Sequence, residues 1–263
     1  MRADKFFAEK YGSRTKAAEA IEKGLVLVNG KEIKPKHEVN EEDLITFVEA
    51  EETFVSNGGY KLDRAIKTFH LNCQNKVFVD IGASTGGFTD CLLQNDAKKV
   101  YAVDVGECLL HEKLRNDRRI VSMDNTNARY LTKNSFTETI DGVVTDVSFI
   151  SLRLIFPVIQ EILKEDGEAV VLIKPQFECE HKNIGKSGIV TPSAHASIVE
   201  KVLKFAETSS LYPFGIINAP VRKGKNIEYV LYIRKNAKSA KSHKEIIEEV
   251  KSFVRHNSLG ELK

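Results

Sequence analysis

Four charged residues stand at the ends of apolar segments, where packing alone would not put them. Lys61 follows a glycine pair in SNGGYKLDRAI, Asp146 closes the run GVVTDVSFIS, Lys174 closes VVLIKPQFE, and Glu228 opens the strand-like stretch KNIEYVLYI. An ammonium is costly to desolvate, so a lysine at the mouth of a strongly apolar strand demands a reason. Two lysines and two carboxylates in one crevice could take the proton from a weakly acidic hydroxyl, and methyl transfer to a ribose 2′-hydroxyl is a reaction that needs this. Lys174 would be the base. It must act as the neutral amine, which burial and a second ammonium, Lys61, both favour; Asp146 and Glu228 oppose that form and hold the geometry. Asp146 would also lie near the cofactor. Two structural salt bridges at a sheet edge account for the same charges equally well.

Bringing these four together requires a doubly wound sheet. The β-forming runs are Val77–Ile81, Val100–Asp104, Ile120–Met123, Gly142–Val147, Ala169–Lys174, Leu211–Ile217 and Glu228–Arg234. Helical patterns fall between them at Gly87–Gln94, Glu107–Asn116, near Ala128, at Phe149–Lys164 and at Ala194–Thr208, with a last amphipathic helix running through Asn257. Such alternation predicts an α/β fold with parallel strands. The last two strands are joined only by NAPVRKGKN, too short for a helical crossover, so they run antiparallel. Parallel strands ending in an antiparallel hairpin predict a Rossmann-like, seven-stranded adenosylmethionine-dependent methyltransferase domain. The carboxyl ends of its parallel strands would open onto one crevice and carry Asp146 and Lys174 there. Glu228, starting a strand of opposite direction, reaches the same edge.

The segment VFVDIGASTGGFTDCLL reads as strand, glycine turn and helix. Gly82, Gly86 and Gly87 allow backbone to approach a ligand, with Asp80, Ala83, Ser84, Thr85 and Phe88 beside them. Ser84 stands where a nicotinamide fingerprint needs glycine, and no Gly-Lys-Ser/Thr follows for a P-loop. Adenosylmethionine has no phosphate but has cations and a ribose diol, which suit acidic strand ends. Asp104, with Val105 after it, ends the second strand, where a carboxylate grips a ribose. Met123, Asp124 and Asn125 end the third, placed for adenine packing and a polar contact.

The first fifty residues read as a separate module. Two short helices, Arg2–Lys10 and Ser13–Lys23 with Ser13 as N-cap, precede a hairpin over GLVLVNGKEI that turns at Asn29-Gly30, and then a strand at Leu44–Val48. Residues 1–36 are net +4 and residues 37–52 net −7, an asymmetry that suits a phosphate backbone on one side only. The expected organisation is an α+β module at 1–49, a linker at 50–57 and the larger domain at 58–263. Net charge is only +2. The four cysteines form no CxxC pair, which argues against a zinc site or a disulfide framework. No metal is expected. The amino terminus is charged and has no apolar leader, and no stretch reaches ~18 apolar residues, so a cytoplasmic protein without a membrane partner is expected.

These motifs together resemble the TlyA-type ribosomal RNA 2′-O-methyltransferases, a family also known as hemolysin A. Arg2-Ala-Asp-Lys, Ser13-Arg14 and GLVLVNG resemble an S4 RNA-binding domain; DIGASTGGFTDCLL, VSNGGYKL, NTNARYL, TDVSFISL, LIKPQFE and KNIEY resemble the catalytic domain. The likeness extends to FtsJ/RrmJ-like enzymes, whose Lys-Asp-Lys-Glu tetrad falls on Lys61, Asp146, Lys174 and Glu228. It implies adenosylmethionine as cofactor and a cytidine of 23S rRNA as target, with 16S rRNA also modified by some members, and a connection to capreomycin susceptibility. Arg2, Lys5, Arg14, Lys16 and Lys34 would grip the RNA. The start close to Arg2 resembles the shorter subtype, associated with the 23S target. Asn57 stands where members usually have Arg, and Asp124 where many have Glu. The rival function is a membrane-active hemolysin, for which the last helix is the one candidate insertion segment.

Overall fold

A one-turn helix, α1 (Ala3–Phe6), leads to α2 (Arg14–Glu22), whose N-cap is Ser13: its extended backbone lets Oγ accept the Lys16 N–H at 3.2 Å. Strand β1 (Val26–Val28) turns through Asn29 and Gly30, at φ 52° and 75°, and returns as β2 (Lys31–Glu32). Both φ values are those the Asn-Gly pair predicts for a type I′ turn. Strand β3 (Ile45–Phe47) pairs with the other edge of β1. Ala3, Phe7, Ala17, Ile21, Val26, Val28 and Val39 make the core of this small unit. The first helix stops at Phe6 rather than Lys10, and β3 is one residue shorter at each end than its apolar run.

The computed structural model describes residues 1–40, 42–48, 53–185, 187–220, 224–235 and 240–260, without the side chains of 181 and 258–260. It divides into two units, Met1–Thr53 and Phe54–Lys263. The expected linker at 50–57 is therefore too long at its carboxyl end. Phe54 is buried in the larger unit, edge-on to Tyr60 with ring centroids 5.1 Å apart, and Asn57 opens a helix. Residues 50–52 lie outside those described.

In the larger unit, α3 (Asn57–Phe69) precedes β4 (Val77–Ile81), α4 (Gly87–Gln94), β5 (Lys99–Val103), α5 (Glu112–Arg115), β6 (Ile120–Met123) and β7 (Ile140–Thr145). Then follow α6 (Phe156–Ile162), β8 (Leu163–Ile173), α7 (Pro175–Glu178), α8 (His195–Thr208), β9 (Tyr212–Asn218), β10 (Tyr229–Arg234) and α9 (His243–Gly260). The seven strands lie in the order β6-β5-β4-β7-β8-β10-β9, and β10 is antiparallel to both its neighbours. Leu62 and Ile66 of α3 and Phe88 and Leu92 of α4 cover one face of the sheet. Phe156 and Ile159 of α6, Val199 and Val202 of α8 and Ile246 and Val250 of α9 cover the other.

Two expected helices are shorter, for local reasons. Between Gly106 and His111 the chain turns, with Cys108 at φ 51°, and only α5 is helical. Phe149 sits at φ 62°, which ends any helix there; a 3-10 turn at Leu152–Leu154 follows, and α6 begins with Pro157 in its first turn, where its missing N–H costs nothing.

Candidate active site

Strand direction gathers the charges. Asp146 follows β7, Lys174 follows β8, and the register Tyr229–Ile173 puts Glu228 one step beyond β10 beside Lys174. Lys61 comes from α3 on the sheet face. Lys174 Nζ lies 2.6 Å from Asp146 Oδ1; Lys61 Nζ lies 3.5 Å from Asp146 Oδ2 and 2.8 Å from Glu228 Oε2. All four are part-buried, Lys174 most deeply at 12% exposure of its side chain. The result is one continuous line, Lys174–Asp146–Lys61–Glu228, rather than two separate salt bridges. Lys174 also donates to Ser148 Oγ at 2.7 Å. Its backbone N-caps α7, and Pro175 occupies the first helical position, so the ring fixes the chain immediately after the lysine.

The glycine turn after β4 lies against this line. Gly82, Ser84 and Gly86 have φ of 82°, 49° and 90°. A side chain at Gly82 would press on Val147 and the Asp146 carbonyl at 3.2 and 3.3 Å, so only glycine lets the loop sit this close to Asp146. The cavity here, of about 210 Å³, is lined by Asp80, Gly82, Ser84, Thr85, Asp146 and Lys174, together with Ala83, Gly87, Phe88, Ser56, Gly58 and Ser148.

Asp80 is buried. Its Oδ2 accepts from Thr89 N and Thr89 Oγ1 at 3.0 and 2.7 Å, while Oδ1 has no hydrogen-bond partner. Burial pushes this carboxyl up to about 7, against the Thr89 hydrogen bonds and with the help of the Asp146 and Asp104 charges. Such an orphaned oxygen suits a cationic ligand group. Asp104 accepts from Ser84 N at 2.8 Å and Gly106 N at 3.0 Å, one bond per oxygen, leaving each a lone pair for a diol. These donor sets fit adenosylmethionine.

Other expected cofactor residues divide by surroundings. Ala83 and Phe88 line the cavity from within the apolar core, whereas Val105 is 71% exposed. Met123 and Asp124 are half-buried and Asn125 is exposed. The Asp124 carboxylate spends its oxygens on Ser122 Oγ and Cys108 N, at 2.7 and 3.0 Å, which hold it below the usual carboxylate range. It braces the Gly106–Cys108 turn. Asn125, at φ 51°, donates its N–H to Gly106 O.

Ser148, Phe149 and Phe177 carry no signal of a site role in the sequence. Phe149 is 90% exposed, with its ring centroid 4.9 Å from that of Phe177. In sequence it reads as one more apolar residue of VSFISL; only its left-handed backbone turns the ring outward. In the small unit, buried Asp4 binds Arg2 at 2.7 Å and Arg14 at 3.1 Å, and their guanidiniums hold its carboxyl below the usual range. Lys5, Lys16 and Lys34 are exposed.

Comparison with known proteins agrees with both halves of this description. The family model for FtsJ-like methyltransferases matches residues 54–235, and that for S4 domains matches residues 1–45. The 16S/23S rRNA (cytidine-2′-O)-methyltransferase TlyA of Mycobacterium tuberculosis is 37% identical over 236 residues, covering 88% of each chain. Hemolysin A of Brachyspira hyodysenteriae is 42% identical over 241 residues, 88% of this chain and 99% of its own. A solved structure from Streptococcus thermophilus, bearing a hemolysin name, is 36% identical with a TM-score of 0.74, covering 98% of both chains.

Proposed function

The chain belongs to the FtsJ-like methyltransferase family and carries an S4 domain ahead of the catalytic unit, and on that premise we propose that it is an adenosylmethionine-dependent 2′-O-methyltransferase acting on a cytidine of ribosomal RNA, in 23S. One observation carries the reading: the Lys174–Asp146–Lys61–Glu228 line lies at the carboxyl edge of the sheet, beside a glycine turn that opens onto the same cavity.

Asp80 and Asp104, with the turn at Gly82–Gly86, would hold adenosylmethionine, which supplies an already activated methyl group. The remaining work is deprotonation of the acceptor. Lys174 Nζ takes the proton of the 2′-hydroxyl, and Asp146 and Ser148 aim the amine and then stabilise the ammonium it becomes. Lys61 offsets the charge of Asp146, and Glu228 anchors Lys61. The exposed Phe149 ring gives an unstacked base a surface beside the amine. Arg2 and Arg14, pre-oriented by Asp4, with Lys5, Lys16 and Lys34, give phosphates a charged face. Ribosomal RNA as substrate makes the cytoplasm the site of action.

The hemolysin name of one relative raises a membrane role. Among the described residues no helix is long and apolar enough to cross a membrane, and Ile246 and Val250 of α9, the expected insertion segment, are fully buried in the core. Purified large and small ribosomal subunits incubated with methyl-labelled adenosylmethionine test the proposal. Label in ribosomal RNA that resists alkaline cleavage at a single cytidine is the expected result; cofactor binding with no label in either subunit overturns it.

A further inference from the structure

Glu178 closes LIKPQFE and takes no part in the chemistry above, yet its surroundings tie it to that chemistry. The side chain is 4% exposed. Oε2 accepts from Ser151 Oγ and Oε1 from Leu152 N, both at 2.7 Å. A carboxylate accepts only, so it matches two donors that both point inward. Burial raises its carboxyl above the usual range, against the pull of its two hydrogen bonds and of the Lys201 ammonium, which donates to the Glu178 carbonyl oxygen at 3.5 Å. A buried carboxyl with two donors aimed at it holds both of them in place.

What it holds is the loop between Asp146 and Leu152. That loop presents Ser148, whose Oγ accepts from Lys174 Nζ, and Phe149, whose ring rests on Phe177. Lys174, Phe177 and Glu178 belong to one helical turn: Lys174 caps α7, Phe177 lies within it and Glu178 ends it. The base and both grips on the loop are therefore carried by a single short piece of chain. Ser151 Oγ in turn accepts from Arg153 N at 3.2 Å, so its hydroxyl proton is committed to Glu178.

We propose that Glu178 is a positioning residue of the methyl-transfer site, clamping residues 148–152 so that Ser148 aims the Lys174 amine and Phe149 stands outward. This rests on the methyltransferase reading. Glu178→Ala removes both hydrogen bonds; Glu178→Gln keeps an acceptor for Leu152 N and loses that for the Ser151 hydroxyl. Turnover on ribosomal subunits should fall about 10- to 100-fold in the alanine variant, as expected for a misplaced catalytic group, and much less in the glutamine variant. Adenosylmethionine affinity, measured by calorimetry, should be unchanged. Because Glu178 acts through Ser148, the Glu178→Ala/Ser148→Ala double variant should be no slower than the worse single one. Hydrogen exchange on the full chain should show lost protection at 148–154 and retained protection in β8. Wild-type turnover in the alanine variant, or losses that multiply in the double variant, overturn the proposal. Should the wild-type chain methylate no RNA, the exchange result still decides the clamp: unchanged protection at 148–154 in Glu178→Ala refutes it. If that variant does not fold, Ser151→Ala removes one clamp hydrogen bond from the other side and is held to the same readings.

Discussion

Asp146 Oδ1 lies 2.6 Å from Lys174 Nζ, and the other oxygen of the same carboxylate faces Lys61 at 3.5 Å. One carboxylate thus bridges the two lysines. Lys61 is therefore linked to Lys174 through this carboxylate.

Lys174→Ala should lower methyl transfer by about 10²- to 10⁴-fold, the usual worth of a general base. Adenosylmethionine binding by calorimetry should persist. Lys174→Arg should be equally inactive, because a guanidinium does not give up its proton. Turnover near the wild-type level in either variant removes Lys174 from the role of base.

Asp80 should give folding and binding a pH signature. Its carboxyl rises from 3.8 to about 7, so the folded chain holds this proton more tightly than the unfolded one. Stability relative to Asp80→Asn should therefore fall as pH rises from about 4 to about 7. A cation brought to Oδ1 favours the ionised form, so adenosylmethionine affinity should rise with pH over the same window. Denaturation and calorimetry of the two proteins at both ends of the window check this; parallel profiles refute it.

Asp104→Ala removes the acceptor of Ser84 N and Gly106 N as well as the proposed ribose contact. Cofactor affinity should drop by at least about 10-fold, since a charge-assisted hydrogen bond is worth roughly 1.5–3 kcal/mol. RNA binding by the amino-terminal unit should not change, and filter binding measures that separately.

Phe149→Gly should separate stability from function. The native φ of 62° is strained for phenylalanine and free for glycine, and the exposed ring loses little burial, so melting temperature should hold or rise. A lost stacking surface of about 1–3 kcal/mol should raise KM for RNA roughly 5- to 150-fold. An unchanged KM would show that no base rests there.

RNA affinity should fall with salt. Arg2→Ala should lower the slope of log affinity against log salt by about 1 if its guanidinium meets a phosphate. Asp4→Asn, which leaves both arginines in place but releases their carboxylate, should weaken binding through lost orientation. A slope unaffected by Arg2→Ala would place the RNA elsewhere.

Much of the molecule is written in short-range pattern. The strand runs, the Ser13 cap, the Asn29-Gly30 turn and the glycine turn after Ile81 are decided by φ preference, side-chain shape and local hydrogen bonds. All of these a reader finds within a few residues. Strand ends at Asp80, Asp104, Asp146 and Lys174 follow from the same pattern, and strand direction alone predicts that they share an edge.

Other features depend on partners far along the chain. β10 inserts between β8 and β9, and this puts Glu228 beside Lys174; strand order and register are chosen by packing across the whole sheet. That Asp146 bridges both lysines depends on α3 lying over the sheet. Phe149 and Glu178 reverse their sequence appearance altogether: the apolar ring is exposed and the carboxylate is buried. Residue type is a good guide to burial only on average. Here a left-handed turn at Phe149 and two inward donors at Ser151 and Leu152 outweigh it, and both exist only once the fold has brought the β7 and β8 loops together.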